Sequence, residues 1–340
     1  MQGDPGRMLD RIRELPLQVR DAWALVRGVS FPGELRDARN VTVLGMGGSA
    51  IGGDLAAALL ASDLRVPMSV HRDYGLPGYV DKDSLVIASS HSGDTEETLS
   101  GFAEAKKRGA RIVVVTGGGT LAKEAERAKL PLVRFSYAAQ PRAALGWSLT
   151  LVLGVLSGAG VVRDLSDDVA AAVRELQAYK SLFETEDERA RSLARKFHGR
   201  VVGMYGAGVM GVMARRWKGQ WNENAKNWSF FDVMPELNHN AVVGFPHPER
   251  AGELLSIVFL RSARDSDRIA LRFEVTGELL RRAGVPFEDL RFDGANALSE
   301  ALRVIYFGDH VSYYLALENA ADPTPVESIN YLKDRLAKGS

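Results

Sequence analysis

Ser90, Ser92, Thr95 and Thr98 crowd together in the stretch SSHSGDTEET, residues 89–98, among acidic side chains and without a Lys or Arg. The stretch follows the apolar run SLVIA and precedes a helix-like pattern, so it lies where a buried strand hands over to a helix. Asp94 as N-cap with Glu97 three residues on would start that helix. A cap uses one such residue and has no need of Ser90, Ser92 and Gly93 as well. Free N–H groups at a helix start, a glycine that admits the backbone closely and hydroxyl donors are what a phosphate requires. Ser90, Ser92 and Thr95 therefore read as phosphate ligands, whereas Thr98, a full turn on, reads as facing the helix body.

A second glycine-rich turn, LGMGGSAIGG, carries Gly48 and Ser49. Gly45, Gly47 and Ala50 satisfy the dinucleotide fingerprint after a strand, and Asp73, beside His71 and Arg72, could serve as its acidic residue. The third glycine is missing, however, and Ser49 joins the hydroxyl loop at the carboxyl ends of strands that face one crevice. The turn is read as part of a phosphate cradle and not as a nicotinamide site.

Proton-transfer chemistry has its candidates further on. Glu223 lies in WNENAKNW and His239 in MPELNHN, and a carboxylate with a histidine titrating near neutrality suits acid–base work. Each has an ordinary alternative: Glu223 as a solvent-facing residue with Lys226 as its i+3 partner, and His239 as a plain loop histidine. The amides around them, Asn222, Asn224, Asn227, Asn238 and Asn240, suit sugar hydroxyls. Arg142 after Gln-Pro and Lys333 on the last helix would by default be solvated charges. His247 and the pair Asp309 and His310 show no metal-ligand spacing, so no metal is expected.

These residues must be positioned by a regular scaffold. Strand-like runs VTVLG, PMSVHRD, SLVIASS, RIVVVTG and LPLVRF alternate with helical stretches, which predicts a parallel sheet covered on both faces. Residues 163–198 are charged and helical in period, a connector. From 199 the pattern restarts, with YGAGVMGVMA standing where LGMGGSAIGG stood, which indicates a duplication. The expected division is an N-terminal helix (1–30), a first α/β domain (31–160), a helical connector (161–198), a second α/β domain (199–320) and a C-terminal helix (321–340) docked back on the body. The apolar stretch at 147–162 contains Ser, Thr and Gly, is too short to span a bilayer, and predicts a buried helix. With 43 basic and 43 acidic residues the net charge is zero, and with no cysteine there are no disulfides or thiolate sites. Neither a nucleic-acid nor a membrane surface is expected, the amphipathic N-terminus does not read as a signal peptide, and a cytoplasmic setting is expected.

Taken in order, GMGGSAIGGD, SSHSGDTEET, QPRAALG, WNENAKN, ELNHN and the terminal NYLK resemble the bifunctional phosphoglucose/phosphomannose isomerase family of the sugar isomerase (SIS) superfamily. The resemblance runs from about residue 40 to 335. It implies two tandem SIS domains, each a five-stranded parallel, flavodoxin-like sheet between helices. It also implies phosphate ligands at Ser49, Ser90, Ser92 and Thr95, an arginine near the scissile C–H at Arg142, the base at Glu223, the ring-opening histidine at His239 and the C-terminal lysine at Lys333. His91 stands where relatives often carry Tyr, and Asp94 where many carry Asn.

The mechanism so implied interconverts glucose 6-phosphate, and mannose 6-phosphate, with fructose 6-phosphate. His239, expected from the second subunit of an obligate homodimer, opens the ring. Glu223 moves a proton between C2 and C1 through a cis-enediol, and Arg142 offsets the developing negative charge. No cofactor is called for. The alternatives are a non-catalytic sugar-phosphate-sensing SIS protein, which would have no use for the base and the histidine, and an NAD-dependent oxidoreductase. Choice between the two epimers turns on a few atoms near C2, with Thr324 a candidate.

Overall fold

The computed structural model describes residues 3–185 and 187–338. All five apolar runs of the first half become strands: β1 (Asn40–Leu44), β2 (Met68–His71), β3 (Ser84–Ser90), β4 (Arg111–Thr116) and β5 (Leu132–Arg134). They lie in the order β2-β1-β3-β4-β5, each neighbouring pair parallel. β3 is buried at every residue and β4 at all but its first. That double-sided burial is why both read as unbroken apolar runs without polar alternation.

The helices of this half are α1 (Met8–Arg13), α2 (Leu15–Arg27), α3 (Gly47–Leu59), α4 (Glu96–Lys107), α5 (Gly119–Arg127) and α6 (Leu145–Gly158). α6 is the buried helix expected at 147–162, apolar on all sides because it lies against α2 and α3. Close approach is built in at Gly154, where a Cβ would come 2.1 Å from a Val26 methyl. Leu44, Val86, Phe102, Val114 and Leu121 share one core beneath α4 and α5.

The connector forms α7 (Ser166–Thr185) and α8 (Glu188–Phe197), and the second half then runs β6 (Val201–Ala207), α9 (Val209–Glu223), β7 (Ser229–Met234), single turns α10 (Ala241–Gly244) and α11 (Ala251–Leu254), β8 (Leu255–Ser262), α12 (Asp267–Arg282), β9 (Phe287–Phe292), α13 (Ala297–Glu318) and α14 (Glu327–Lys338). The second sheet corrects the expectation of five strands: it has four, ordered β7-β6-β8-β9, with β6 parallel to both β7 and β8. After β9 the chain enters the 22-residue α13 in place of a further helix and strand. β7 escaped the sequence reading because, at the edge of the sheet, only its end residues are buried and Asp232 interrupts SFFDVM. It offers neither a continuous apolar run nor strict alternation.

By their packing the described residues fall into two units, 13–182 with 292–303, and 183–291 with 304–338 and 3–12. The second unit has its own core around Tyr205, Phe259, Phe273 and Leu280. It also buries an ion pair: Arg216 of α9 donates to Asp309 of α13 at 3.0 Å, and Gln220 donates to the same carboxylate at 2.9 Å. A buried pair of this kind fixes geometry more than it stabilises, but losing one partner costs about 3–5 kcal/mol. No helix among the described residues is long and apolar enough to cross a membrane.

Candidate functional site

β3, the central strand, carries Ser90 at its carboxyl end, where the residue is 2% exposed. The Ser90 and Thr95 hydroxyls bond each other at 2.9 Å, the Gly93 N–H donates to Ser90 Oγ at 3.0 Å, and the Asp94 N–H donates to Ser92 Oγ at 3.2 Å. This curl needs Gly93: its φ is +78°, and a Cβ there would stand 1.8 Å from the Gly118 carbonyl oxygen. α4 begins at Glu96 with Thr95 as N-cap, and the Thr95 side chain makes no capping bond.

That overturns the expected cap by Asp94 and Glu97. The Asp94 carboxylate instead accepts the Thr120 N–H of α5 at 2.8 Å, so it caps a neighbouring helix. The bonds from Thr120 hold the Asp94 carboxyl below its ordinary range. The acidic charge is thereby drawn toward α5, and the start of α4 keeps its N–H groups free of side-chain acceptors. Thr98 is buried on the helix body, as its position one turn into α4 suggested.

The second turn meets the first through Gly45, where a Cβ would lie 3.0 Å from the Ser89 carbonyl and 3.2 Å from Ser49 Cβ. Ser49 sits in the first turn of α3 and is 7% exposed. Gly48 admits the Arg142 segment: a Cβ on it would be 2.6 Å from the Pro141 carbonyl oxygen. Arg142, on a 3-10 turn at Pro141–Ala143, is 4% exposed and so is no solvated surface charge. Burial of a guanidinium at that position is costly unless it has an anionic or polar counterpart.

In the other unit Glu223 is the last residue of α9, half-buried, on the wall of a cavity of about 670 Å³ that Asn222, Trp228, Pro325, Val326 and Ile329 also line. Lys226 does pair three residues away, but its ammonium donates to the Glu223 main-chain oxygen at 2.6 Å. Trp228, not singled out by the sequence reading, is 79% exposed at this cavity, while Trp221 at the other end of WNENAKNW is wholly buried. Lys226, Asp322 and Glu327 line the same cavity, so the Glu223 carboxylate shares it with other charged groups as well as apolar ones.

The amides expected to meet sugar hydroxyls are used in shaping the turn. Asn222 accepts the Ser229 N–H at 3.0 Å, Asn224 donates to Ser312 at 3.0 Å, and Asn227 donates to the Arg200 carbonyl at 2.9 Å. Asn238 donates to Thr276 at 2.8 Å, and Asn240 caps α10 through the Ala241 N–H. Asn224 and Asn227, the buried members of the set, are thereby paired, as buried amides require.

His239 ends a 3-10 turn at Glu236–His239, is exposed, and is not among the residues lining the Glu223 cavity. Lys333 is exposed on α14, and the expectation that this helix docks on the body fails: every described side chain from Glu327 onward is exposed, including Ile329, Tyr331, Leu332 and Leu336. Its sequence is amphipathic, and amphipathicity alone does not say what covers the apolar stripe.

Comparison with known proteins matches two stretches of the chain. Residues 34–132 match the SIS domain family, and residues 186–336 match the family described as bacterial phospho-glucose isomerase C-terminal SIS domain. The chain is 38% identical over 336 residues to a bifunctional phosphoglucose/phosphomannose isomerase of Caldicellulosiruptor bescii, covering 97% of this chain and 99% of that protein. It belongs to the bifunctional phosphoglucose/phosphomannose isomerase family. A member of this family from Aquifex aeolicus is 33% identical over 90% of this chain and 92% of its own. Among solved structures, a hypothetical protein of Thermus thermophilus superposes with a TM-score of 0.75 at 17% identity, covering 99% of this chain and 91% of that one. At that identity the likeness shows the shared fold.

Proposed function

We propose that the protein is an aldose–ketose isomerase that interconverts glucose 6-phosphate and mannose 6-phosphate with fructose 6-phosphate. The observation that carries the reading is Glu223, a carboxylate on a largely apolar cavity wall at the end of α9, in a chain of this family. In this reading the halves at 31–160 and 199–320 divide the work. Gly48, Ser49, Ser90, Ser92 and Thr95 hold the phosphate, with Ser49 and Ser90 among them buried at a helix start and a strand end. Arg142 faces the oxyanion that grows at the reacting carbons.

His239 passes a proton between the ring oxygen and hydroxyl to open the sugar. Glu223 then carries a proton between C2 and C1 through a cis-enediol. Lys333 joins the set on α14. The protein works as a cytoplasmic homodimer in which His239 serves the site of the partner copy; its exposure away from the Glu223 cavity supports this. Only protons move, so the chemistry calls for no redox cofactor.

A coupled assay of the purified protein on both aldose phosphates, with and without EDTA, tests the reading. Glu223→Gln should lower kcat by about 10²–10⁴, the contribution of one positioned base, while fructose 6-phosphate still binds in calorimetry. Undiminished turnover in that variant removes Glu223 as the base. Binding without turnover in the unsubstituted protein would point to a sensing module instead.

A further inference from the structure

The cavity at Glu223 has two walls, and one side chain joins them. The first wall is the turn after α9, from Asn222 to Trp228, and the second is the segment after α13, from Ala321 to Ile329. Asn319 stands at the root of the second wall, directly after the last residue of α13. Its Nδ2 donates to the Ala225 carbonyl at 2.9 Å, two residues beyond Glu223, and its Oδ1 lies 2.9 Å from Nδ1 of His198. An amide oxygen only accepts, so the His198 ring donates to it. One amide thus ties the end of α13 to the Glu223 turn and to the chain ahead of β6.

The main chain brings Asn319 to this place. α13 closes with the Ala320 N–H on the Leu317 carbonyl at 3.0 Å and the Ala321 N–H on the Ala316 carbonyl at 2.8 Å. Ala320 takes a left-handed φ of +51°, so the chain reverses there and the second wall begins at once. The Glu223 turn has anchors of its own: Asn224 donates to Ser312 within α13 at 3.0 Å, and Asn227 donates to the Arg200 carbonyl at 2.9 Å. Those bonds hold the turn to the fold without Asn319. Neither of them reaches the root of the second wall, whereas the Asn319 bond starts from it.

We propose that Asn319 is a positioning residue for the isomerase reaction: from the root of the second wall its amide holds the Ala225 carbonyl, and so fixes where the Glu223 carboxylate stands in the cavity. This rests on the isomerase site proposed above, in which Glu223 is the base. Misplacement of a catalytic group by about 1 Å can cost about 10²-fold in rate. The phosphate ligands proposed above share no bond with Asn319, so loss of the tie falls on the transition state and not on ground-state binding.

Three variants test this, each assayed well below its melting temperature. Asn319→Leu keeps the shape without polar atoms, Asn319→Asp keeps only the acceptor for His198, and His198→Ala removes that outer bond alone. Both Asn319 variants should lose about tenfold in kcat, with KM for fructose 6-phosphate within about twofold, while His198→Ala should keep kcat within about twofold. An amide that served the fold alone would lower the melting temperature and leave kcat in place. Unchanged kcat in either Asn319 variant, a loss that lies wholly in KM, or a His198→Ala protein as slow as the Asn319 variants overturns the proposal. Should one Asn319 variant fail to fold, the other decides; failure of both assigns the amide to the fold and overturns the proposal too. Absence of turnover in the unsubstituted protein fails the isomerase reading and this inference with it. Turnover that is normal both there and in the Asn319 variants fails this inference alone.

Discussion

The two halves of the chain carry nearly the same strand-to-helix turn, and they use it for different ends. LGMGGSAIGG and YGAGVMGVMA align so that Gly47 faces Gly208, with φ of +49° and +53°, and Ser49 faces Met210. The backbone is kept, but the hydroxyl of one half is a wholly buried core methionine in the other. The loops after the third strand to be threaded into each sheet diverge the same way. In the second half Ser266 caps α12 by accepting the Ile269 N–H at 3.4 Å. In the first, Thr95 occupies the N-cap of α4 without capping it, and its hydroxyl meets Ser90. Anion binding at a helix start therefore depends on which hydroxyls are withheld from the helix and which N–H groups are left unanswered. The fold supplies two such turns, and only the first places a hydroxyl, that of Ser49, where the second has Met210.

Substitutions can break this contrast, the largest effect coming first. Gly93→Ala places a methyl against the Gly118 carbonyl at a left-handed φ, so stability should fall by about 3 kcal/mol or more, read by thermal unfolding. An unchanged melting temperature would show that the curl of the first loop is not set by that contact. Ser49→Met copies the second turn into the first. KM for fructose 6-phosphate should rise about 10- to 100-fold, the loss of one hydrogen bond to a charged group of about 1.5–3 kcal/mol.

A crossed pair sharpens the difference between the loops. Ser266→Ala should cost about 1 kcal/mol of stability by loss of a cap while kinetic constants hold, and Thr95→Val should raise KM several-fold with the melting temperature nearly kept. Reversed outcomes would exchange the roles assigned to the two hydroxyls. The smallest effect is electrostatic. Asp94 has its folded pKa below the ordinary 3.8, so its contribution is present above the unfolded pKa and lost as pH falls through the lower folded value. Asp94 is exposed, so solvent screening keeps that contribution below about 1 kcal/mol. Asp94→Asn should flatten the stability–pH curve from about pH 4 downward, measured by urea unfolding, and a curve of unchanged slope would remove the Thr120 contact as its source.

How far the sequence could be read depended on the range of each interaction. β1, β3 and β4 were legible because burial on both faces writes itself into consecutive residues. The hydroxyl loop and the Glu223 turn were legible for a similar reason: strand end, glycine and helix start are neighbours in the chain. β7 was not, because an edge strand half-open to solvent carries no such imprint. Trp228 and Trp221 are indistinguishable as letters, and one is at the cavity while the other is in the core.

The amino-acid order by itself determined the two α/β halves, the paired glycine turns and the addresses of the candidate ligands, since backbone propensity and burial period act over a few residues. Only tertiary structure decided that Asp94 caps a helix 26 residues away, that the Asn side chains brace their own turn, that Arg142 is buried, and that α14 stands exposed. A hydrogen bond or a packed face needs a partner brought from far along the chain, and no local pattern names that partner.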